Sequence, residues 1–382
     1  MLLREPPLSL YVHLPWCVRK CPYCDFNSFA FHGSFPQDAY VDALLADLAA
    51  QAPAVRHRPV HTVFFGGGTP SLFAPASIGR ILDAAARSLA LAGDAEITLE
   101  ANPGTIEHGA FSGYRAAGIN RVSLGGQSFA PAQLRALGRI HDAQDTRMAV
   151  AELRAAGLPN FNIDLMYGLP GQTVGEALQD IDCALALEPA HISHYQLTIE
   201  PGTVFAGTPP APPRDDTLDM LDATTARLAA AGFARYEVSA YARQTRASQH
   251  NLNYWLFGDY LGIGAGAHGK ISDSNAARIV RTARPREPRR YMSEATGPVA
   301  RNSVTEADLP FEFMLNALRL VQGFEQSLYE ERTGLDWTSV AVTLQQLSAE
   351  KLVAESEGRW RASDRGLLFL NDLLVRFLPA PR

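Results

Sequence analysis

From Leu8 to Ala230 one unit recurs about six times: a short apolar run, a turn built from glycine, proline or asparagine, then a stretch with apolar residues at helical spacing. Residues 60–65 run into Gly66-Gly67-Gly68-Thr69-Pro70 and residues 96–100 into Asn102-Pro103-Gly104. Residues 121–124 run into Gly125-Gly126-Gln127-Ser128, residues 162–166 into Tyr167-Gly168-Leu169-Pro170-Gly171, and residues 192–199 into Glu200-Pro201-Gly202. Strands alternating with helices in this way form βα units on a parallel sheet with right-handed crossovers. Polar residues gather at the carboxyl ends of these strands (Tyr11, Gly67 to Thr69, Glu100, Gln127, Asp164), the face on which such sheets build their sites. The expected fold class is α/β, a partial (β/α)6 barrel that is TIM-like but short of eight-fold closure.

The first unit carries the chemistry. Three of the chain's four cysteines lie in one loop as Cys17-x3-Cys21-x2-Cys24. Soft thiolates on one short loop suit an iron–sulfur cluster of the four-iron, four-sulfur type (4Fe-4S), and three of them leave one iron open for chemistry. A disulfide and a zinc site are the alternatives. Zinc wants a fourth ligand, and the nearby candidate, His13, lies on the wrong side of Pro15 for paired spacing. Cys183, between Ile181 and Leu187 on a helical stretch, reads as a core thiol.

With 47% hydrophobic and 19% charged residues, the chain has the composition of a soluble globular protein. A net charge of −6 favours neither nucleic acid nor an anionic membrane. No apolar run is long enough for a membrane span, and no basic stretch precedes an apolar core as in a signal peptide. Clustered thiolates without a disulfide framework point to a cytoplasmic setting.

Three segments are expected: a barrel over 1–235, an extension of that barrel over 236–304, and a C-terminal domain over 305–382. In the extension, the polar, aromatic run Gln249 to Trp255 precedes the glycine-rich run 261–269. Arg278 to Arg290 then reads as an exposed, arginine-rich loop, either a solvated face or a dock for an anionic group. The last segment has helices followed by a hairpin near residues 352–362, a winged-helix-like pattern. Its excess of acidic over basic residues argues against DNA and for a packing or lid module.

Seven motifs in order now resemble the radical S-adenosylmethionine (SAM) enzymes, and within them the oxygen-independent coproporphyrinogen III oxidase-like family. They are Tyr11-Val-His-Leu-Pro-Trp-Cys17, Cys21-Pro-Tyr-Cys24, Gly66-Gly-Gly-Thr-Pro70, Glu100-Ala-Asn-Pro, Gly126-Gln127-Ser-Phe129, Arg139, and Asp164-Leu-Met-Tyr-Gly-Leu-Pro170. The resemblance implies that Cys17, Cys21 and Cys24 hold the cluster and that SAM chelates its open iron. It implies SAM contacts at Tyr11, Tyr23, Gly67, Gly68, Thr69, Glu100, Gln127, Arg139 and Asp164. The residue types suit those roles: an arginine fork for a carboxylate, acids for an ammonium and for ribose hydroxyls. Taken alone, Glu100 and Asp164 also suit helix capping. Gly126 departs from the branched apolar residue more usual there and loosens the turn before Gln127.

Within this family, Phe26 stands where the oxidase has a further cysteine, and only a short segment precedes the cysteine loop. Both point to the HemW-type heme-chaperone branch. His250-Asn251-Leu-Asn-Tyr254-Trp255 matches that branch's His-Asn-x-x-Tyr-Trp motif. The resemblance implies heme contacts at His250, Asn251, Tyr254 and Trp255, with His250 as axial ligand and the rings stacking on the macrocycle. His268 is a second candidate, whereas His191 and His194 sit on a strand and orient neighbours. The partners implied are a heme-accepting protein and a possible homodimer. The other reading is an enzyme that oxidatively decarboxylates porphyrinogen propionates.

Overall fold

The computed structural model describes residues 3–55, 57–105 and 110–379. Its frame is one twelve-stranded sheet: β1 Leu8–Leu14, β2 Pro59–Gly67, β3 Ala90–Ala101, β4 Arg121–Gln127, β5 Phe161–Tyr167, β6 His191–Gln196, β7 Ala234–Glu237, β8 Ala240–Ala242, β9 Asp259–Ile263, β10 His268–Asp273, β11 Arg278–Ala283 and β12 Ala300–Ser303. The spatial order is β12-β11-β10-β9-β1-β2-β3-β4-β5-β6-β8-β7. From β9 through β6 every neighbouring pair is parallel, and antiparallel strands flank this block on both sides. The six βα strands read from the sequence are β1 to β6, in that order. The (β/α)6 arrangement is therefore present, and β9 adds a seventh parallel strand.

The strand sequences show why. In β1, Leu8, Leu10, Val12 and Leu14 fall on one face and join the main core with Val63, Phe65 and Leu99. Ser9, Tyr11 and His13 fall on the other, since successive side chains alternate. Register carries this second face across the sheet: Ser9 lies beside Thr62, Tyr11 beside Phe64, Glu100 beside Ser123, and Asp164 beside Ser193. A polar inner face is thus written into alternate positions of parallel strands that are otherwise apolar. Helix starts between strands are chemically marked. Thr173 and Glu176 form a capping box on Val174–Leu185, and Asp142 and Asp145 do so on Ala143–Ala155.

One expectation needs revision. In segment 236–304, β9 pairs directly with the central strand β1, and β10 to β12 continue the same sheet. Within it, 278–290 is not an exposed loop. Residues Arg278–Ala283 form β11, Pro288–Glu294 is a helix, and Arg284 is buried against Asp47 of the helix Gln37–Gln51. The arginine-rich composition hid a strand that pairs with β10 along its whole length.

The C-terminal part holds helices Leu309–Ala317, Gln326–Thr333 and Thr338–Ala349 and a three-stranded sheet that includes the hairpin Val353–Ser356 and Arg359–Ala362. Its core is continuous with the larger domain. Phe313 packs edge-on against Phe257, Phe324 and Tyr329, and Leu3 joins the same cluster.

Candidate cluster and cofactor site

The cysteine loop leaves the carboxyl end of β1 and is pinned at both ends. Trp16–Cys17 pairs in parallel with Phe29–Ala30, and the Phe29 N–H donates to the Pro15 carbonyl at 2.7 Å. Trp16 anchors the entry, stacked on Phe35 and edge-on to Tyr40. Each thiol has a polar neighbour. The Thr69 hydroxyl donates to Cys17 Sγ at 3.5 Å, Arg139 Nη1 to Cys21 Sγ at 3.5 Å, and Ser28 Oγ lies 3.8 Å from Cys24 Sγ. Burial pushes the Cys17 and Cys24 thiols up, and these neighbours offset part of that cost; bound metal would displace the protons altogether. Among the described residues, no three His, Cys, Asp or Glu side chains converge tightly enough for a single metal ion. Thiols spread around a cavity fit a cluster, which seats each on its own iron, better than a tetrahedral zinc. Cys183 is half-buried, packed on the main core away from this loop.

A cavity of about 330 Å³ opens beside the loop. Tyr23, Gly67, Gly68, Thr69, Glu100, Gln127, Arg139 and Asp164 line it together with the three cysteines. Tyr11 does not; its hydroxyl bonds His13 Nδ1 at 2.9 Å, and its ring faces the adjoining cavity. The glycine pair has a structural reason of its own. Gly67 has φ +123°, and a Cβ there would lie 2.7 Å from the His13 ring; one on Gly68 would lie 2.5 Å from the Trp16 carbonyl oxygen. The end of β2 is therefore pressed against the start of the cysteine loop.

The cavity floor is acidic. Glu100 accepts the Gly67 N–H at 3.1 Å, but burial and the nearby Asp164 push its carboxyl up to about 7. Burial also raises Asp164, which is held by Ser123 at 3.1 Å and Asn162 at 2.8 Å. Arg139 closes the opposite side, fixed by the Gly125 carbonyl at 2.8 Å, while its buried Nε has no hydrogen-bond partner among the described residues. Two acids lacking full compensation and an arginine with a spare donor match a ligand carrying ammonium, hydroxyls and carboxylate. SAM has all three.

Some supports escaped the sequence reading. The Tyr195 hydroxyl donates to Gln127 Oε1 at 2.7 Å, orienting an amide whose own backbone sits at φ +64°. Ser123 and Asn162 hold Asp164, and His191, expected from its strand position to orient a neighbour, bonds Asn162 Oδ1 at 2.7 Å. The available signal was position: Tyr195 sits near the carboxyl end of β6, as the other site residues do on their strands.

A second cavity, about 490 Å³, shares Phe26, Gly67 and Glu100 with the first. Tyr11, Tyr254, Tyr260, His268 and Arg286 line its far side. Of the four motif residues expected to contact heme, Tyr254 alone lines this space, together with the second candidate His268. The motif forms the helix Gln249–Trp255, capped by Ser248, whose hydroxyl accepts the Asn251 N–H. His250 points into the protein, 1% exposed, with Nδ1 bonded to Thr62 Oγ1 at 2.7 Å and Nε2 to the Tyr254 hydroxyl at 3.0 Å. Its ring stacks on Phe64, and burial drives its pKa down to about 3. In this conformation His250 has no free ring nitrogen for iron. Trp255 turns toward the C-terminal domain, with Arg319 lying 4.4 Å from its ring centre.

A three-cysteine loop at the carboxyl end of a partial (β/α)6 sheet, opening onto a cavity fitted for SAM, defines a radical SAM scaffold. Residues 11–184 match the Radical SAM superfamily, and residues 304–369 match the HemN C-terminal domain. The chain is 46% identical to the Escherichia coli protein named Heme chaperone HemW, covering 99% of this chain and all of that one. It is 45% identical to the Haemophilus influenzae protein of the same name, covering 98% of each. It is 37% identical to mouse mitochondrial Radical S-adenosyl methionine domain-containing protein 1, covering 97% of this chain and 87% of that one. Among solved structures, E. coli coproporphyrinogen III oxidase (HemN), described as a radical SAM enzyme, superposes with a TM-score of 0.81 at 26% identity, covering 98% of this chain and 90% of that one. The chain belongs to the HemW family of radical SAM proteins.

Proposed function

We propose that this chain is a heme chaperone that holds heme beside a SAM-bearing 4Fe-4S cluster and passes it to an acceptor protein. The observation that carries this reading is the second, tyrosine-lined cavity, which shares Phe26, Gly67 and Glu100 with the cluster cavity, in a chain kin over its whole length to proteins named heme chaperones. Cys17, Cys21 and Cys24 would hold the cluster, which when bound supplies an electron to the SAM sulfonium. The chain's own residues position and shield. Arg139 takes the carboxylate, Glu100 the ammonium, and Asp164 the ribose hydroxyls, with Tyr23, Gly67, Gly68, Thr69 and Gln127 completing the walls and Tyr11 backing them from the next cavity. His250 orients Tyr254 through its hydroxyl, and Tyr254 lines the heme side. Among the described residues no helix is long and apolar enough to cross a membrane.

The structural likeness to the coproporphyrinogen oxidase supports a second reading, oxidative decarboxylation of propionates. Phe26 speaks against it, because an aromatic ring, 60% exposed, stands at the junction of the two cavities where the oxidase has a further cysteine. The two readings separate in one assay. The cluster-loaded chain with SAM, a reductant and coproporphyrinogen III under anaerobic conditions should release no decarboxylated product. Multiple turnovers per chain would favour the oxidase reading instead.

A further inference from the structure

We propose that His268, rather than His250, is the protein ligand to heme iron, and that Arg286 pairs with a heme propionate. The inference rests on the heme-chaperone reading and locates its binding site in the second cavity. Three observations carry it.

The first is availability. An axial ligand needs a neutral ring nitrogen with a free lone pair facing the metal. Both nitrogens of His250 are engaged in a dry environment; freeing Nε2 would leave the Tyr254 hydroxyl without its partner, and freeing Nδ1 would leave Thr62 with its bond to Ser9 alone. His268 is exposed on the cavity wall, and its ring makes no hydrogen bond to a described residue.

The second is rigidity. His268 opens β10, paired with Ala283 across β11. Its backbone is packed so closely that a Cβ on Gly262 would lie 1.8 Å from the His268 carbonyl oxygen. Gly266 N–H donates to the Pro285 carbonyl at 2.8 Å and Arg284 N–H to the Ala267 carbonyl at 2.9 Å, so the segments bearing His268 and Arg286 form one braced rim. Asn27 ties that rim to the cysteine loop: its amide donates to the Ala265 and Arg286 carbonyls at 2.8 and 2.9 Å.

The third is shape and charge. Tyr254 and Tyr260 meet edge to face, 4.6 Å between centres, and with Phe26 give aromatic surface for a flat macrocycle. Arg286, exposed at the rim, supplies a guanidinium fork of the kind that pairs with carboxylates. A ligand that is planar, apolar, iron-bearing and edged with carboxylates meets each of these groups. The anionic dock that the arginine-rich segment suggested is thus confined to one residue at the cavity mouth.

The test is a hemin titration of the full chain with its cluster reconstituted, read by Soret absorbance and by resonance Raman for the axial ligand. His268→Ala should remove the histidine-ligated signature and weaken heme binding by about tenfold or more, and added imidazole should restore the signature. His250→Ala should retain it. Arg286→Ala should weaken heme while leaving heme dimethyl ester, whose propionates are blocked, unchanged. Cluster absorbance checks that each variant is folded. Wild-type affinity and spectrum in His268→Ala, or loss of the signature in His250→Ala with cluster absorbance intact, would overturn the inference while leaving the chaperone reading standing. Failure of the wild-type chain to bind hemin would instead remove the reading on which it rests.

Discussion

Glu100 sets a pH dependence that the chain should show without its cofactor. Its carboxyl is raised to about 7 by burial and by Asp164, so the folded chain favours the protonated form. A raised carboxyl contributes stability fully present below its unfolded value and lost as pH rises through about 7. The cofactor-free chain should lose on the order of 3 kcal/mol from this group between about pH 4.5 and pH 7.5. Thermal melts across that range check it: Glu100→Gln should flatten the loss, and an equal slope in the variant would contradict it. SAM should raise the melting temperature more at the alkaline end, where its ammonium meets an ionised partner. Gly68→Ala tests the close contact beside it. The added carbon meets a backbone carbonyl rather than a flexible side chain, so a loss of about 1–3 kcal/mol in urea unfolding is expected. At this scale the cysteine loop was legible from its spacing and the acids from their place at the ends of strands, whereas the acids' part in holding SAM was implied only by the resemblance. The burial of His250 was not, because a seven-residue helix does not reveal from sequence which face turns inward.

Among the elements, the join between the helix Gln37–Gln51 and the segment after β11 depends on one buried charge network. Asp47 accepts from Arg284, from the Tyr291 hydroxyl at 2.8 Å and from Gln51 at 2.7 Å. Removing one partner strands a buried charge, so Asp47→Ala should cost about 3–5 kcal/mol in chemical denaturation. Replacing Asp47 and Arg284 together by apolar residues of similar volume should cost far less; equal losses in the two cases would contradict the network's role. Local pattern cannot show this arrangement. An arginine among prolines reads as exposed, and its burial is decided by an acid 237 positions away. The βα repeat, by contrast, was readable because each strand, turn and helix is specified by neighbours within a few residues of one another.

Over the whole molecule, the C-terminal domain shares its core with the barrel through Leu3, Phe257 and Phe313. Phe313→Ala should cost about 3–5 kcal/mol and raise hydrogen exchange in both β9 and the helix Thr338–Ala349; exchange confined to the C-terminal part would mean the domains are uncoupled. The continuity of β9 to β12 with β1 was hidden from the sequence, because a strand returning beside β1 after some two hundred and fifty residues leaves no local mark. The measurement that bears most directly on the account is the stoichiometry of heme on the wild-type, cluster-loaded chain. Titration with hemin should give a Soret band that saturates at one heme per chain and empties into an apo heme protein added as acceptor. An unsaturable band, or bound heme that no acceptor can withdraw, would contradict a chaperone.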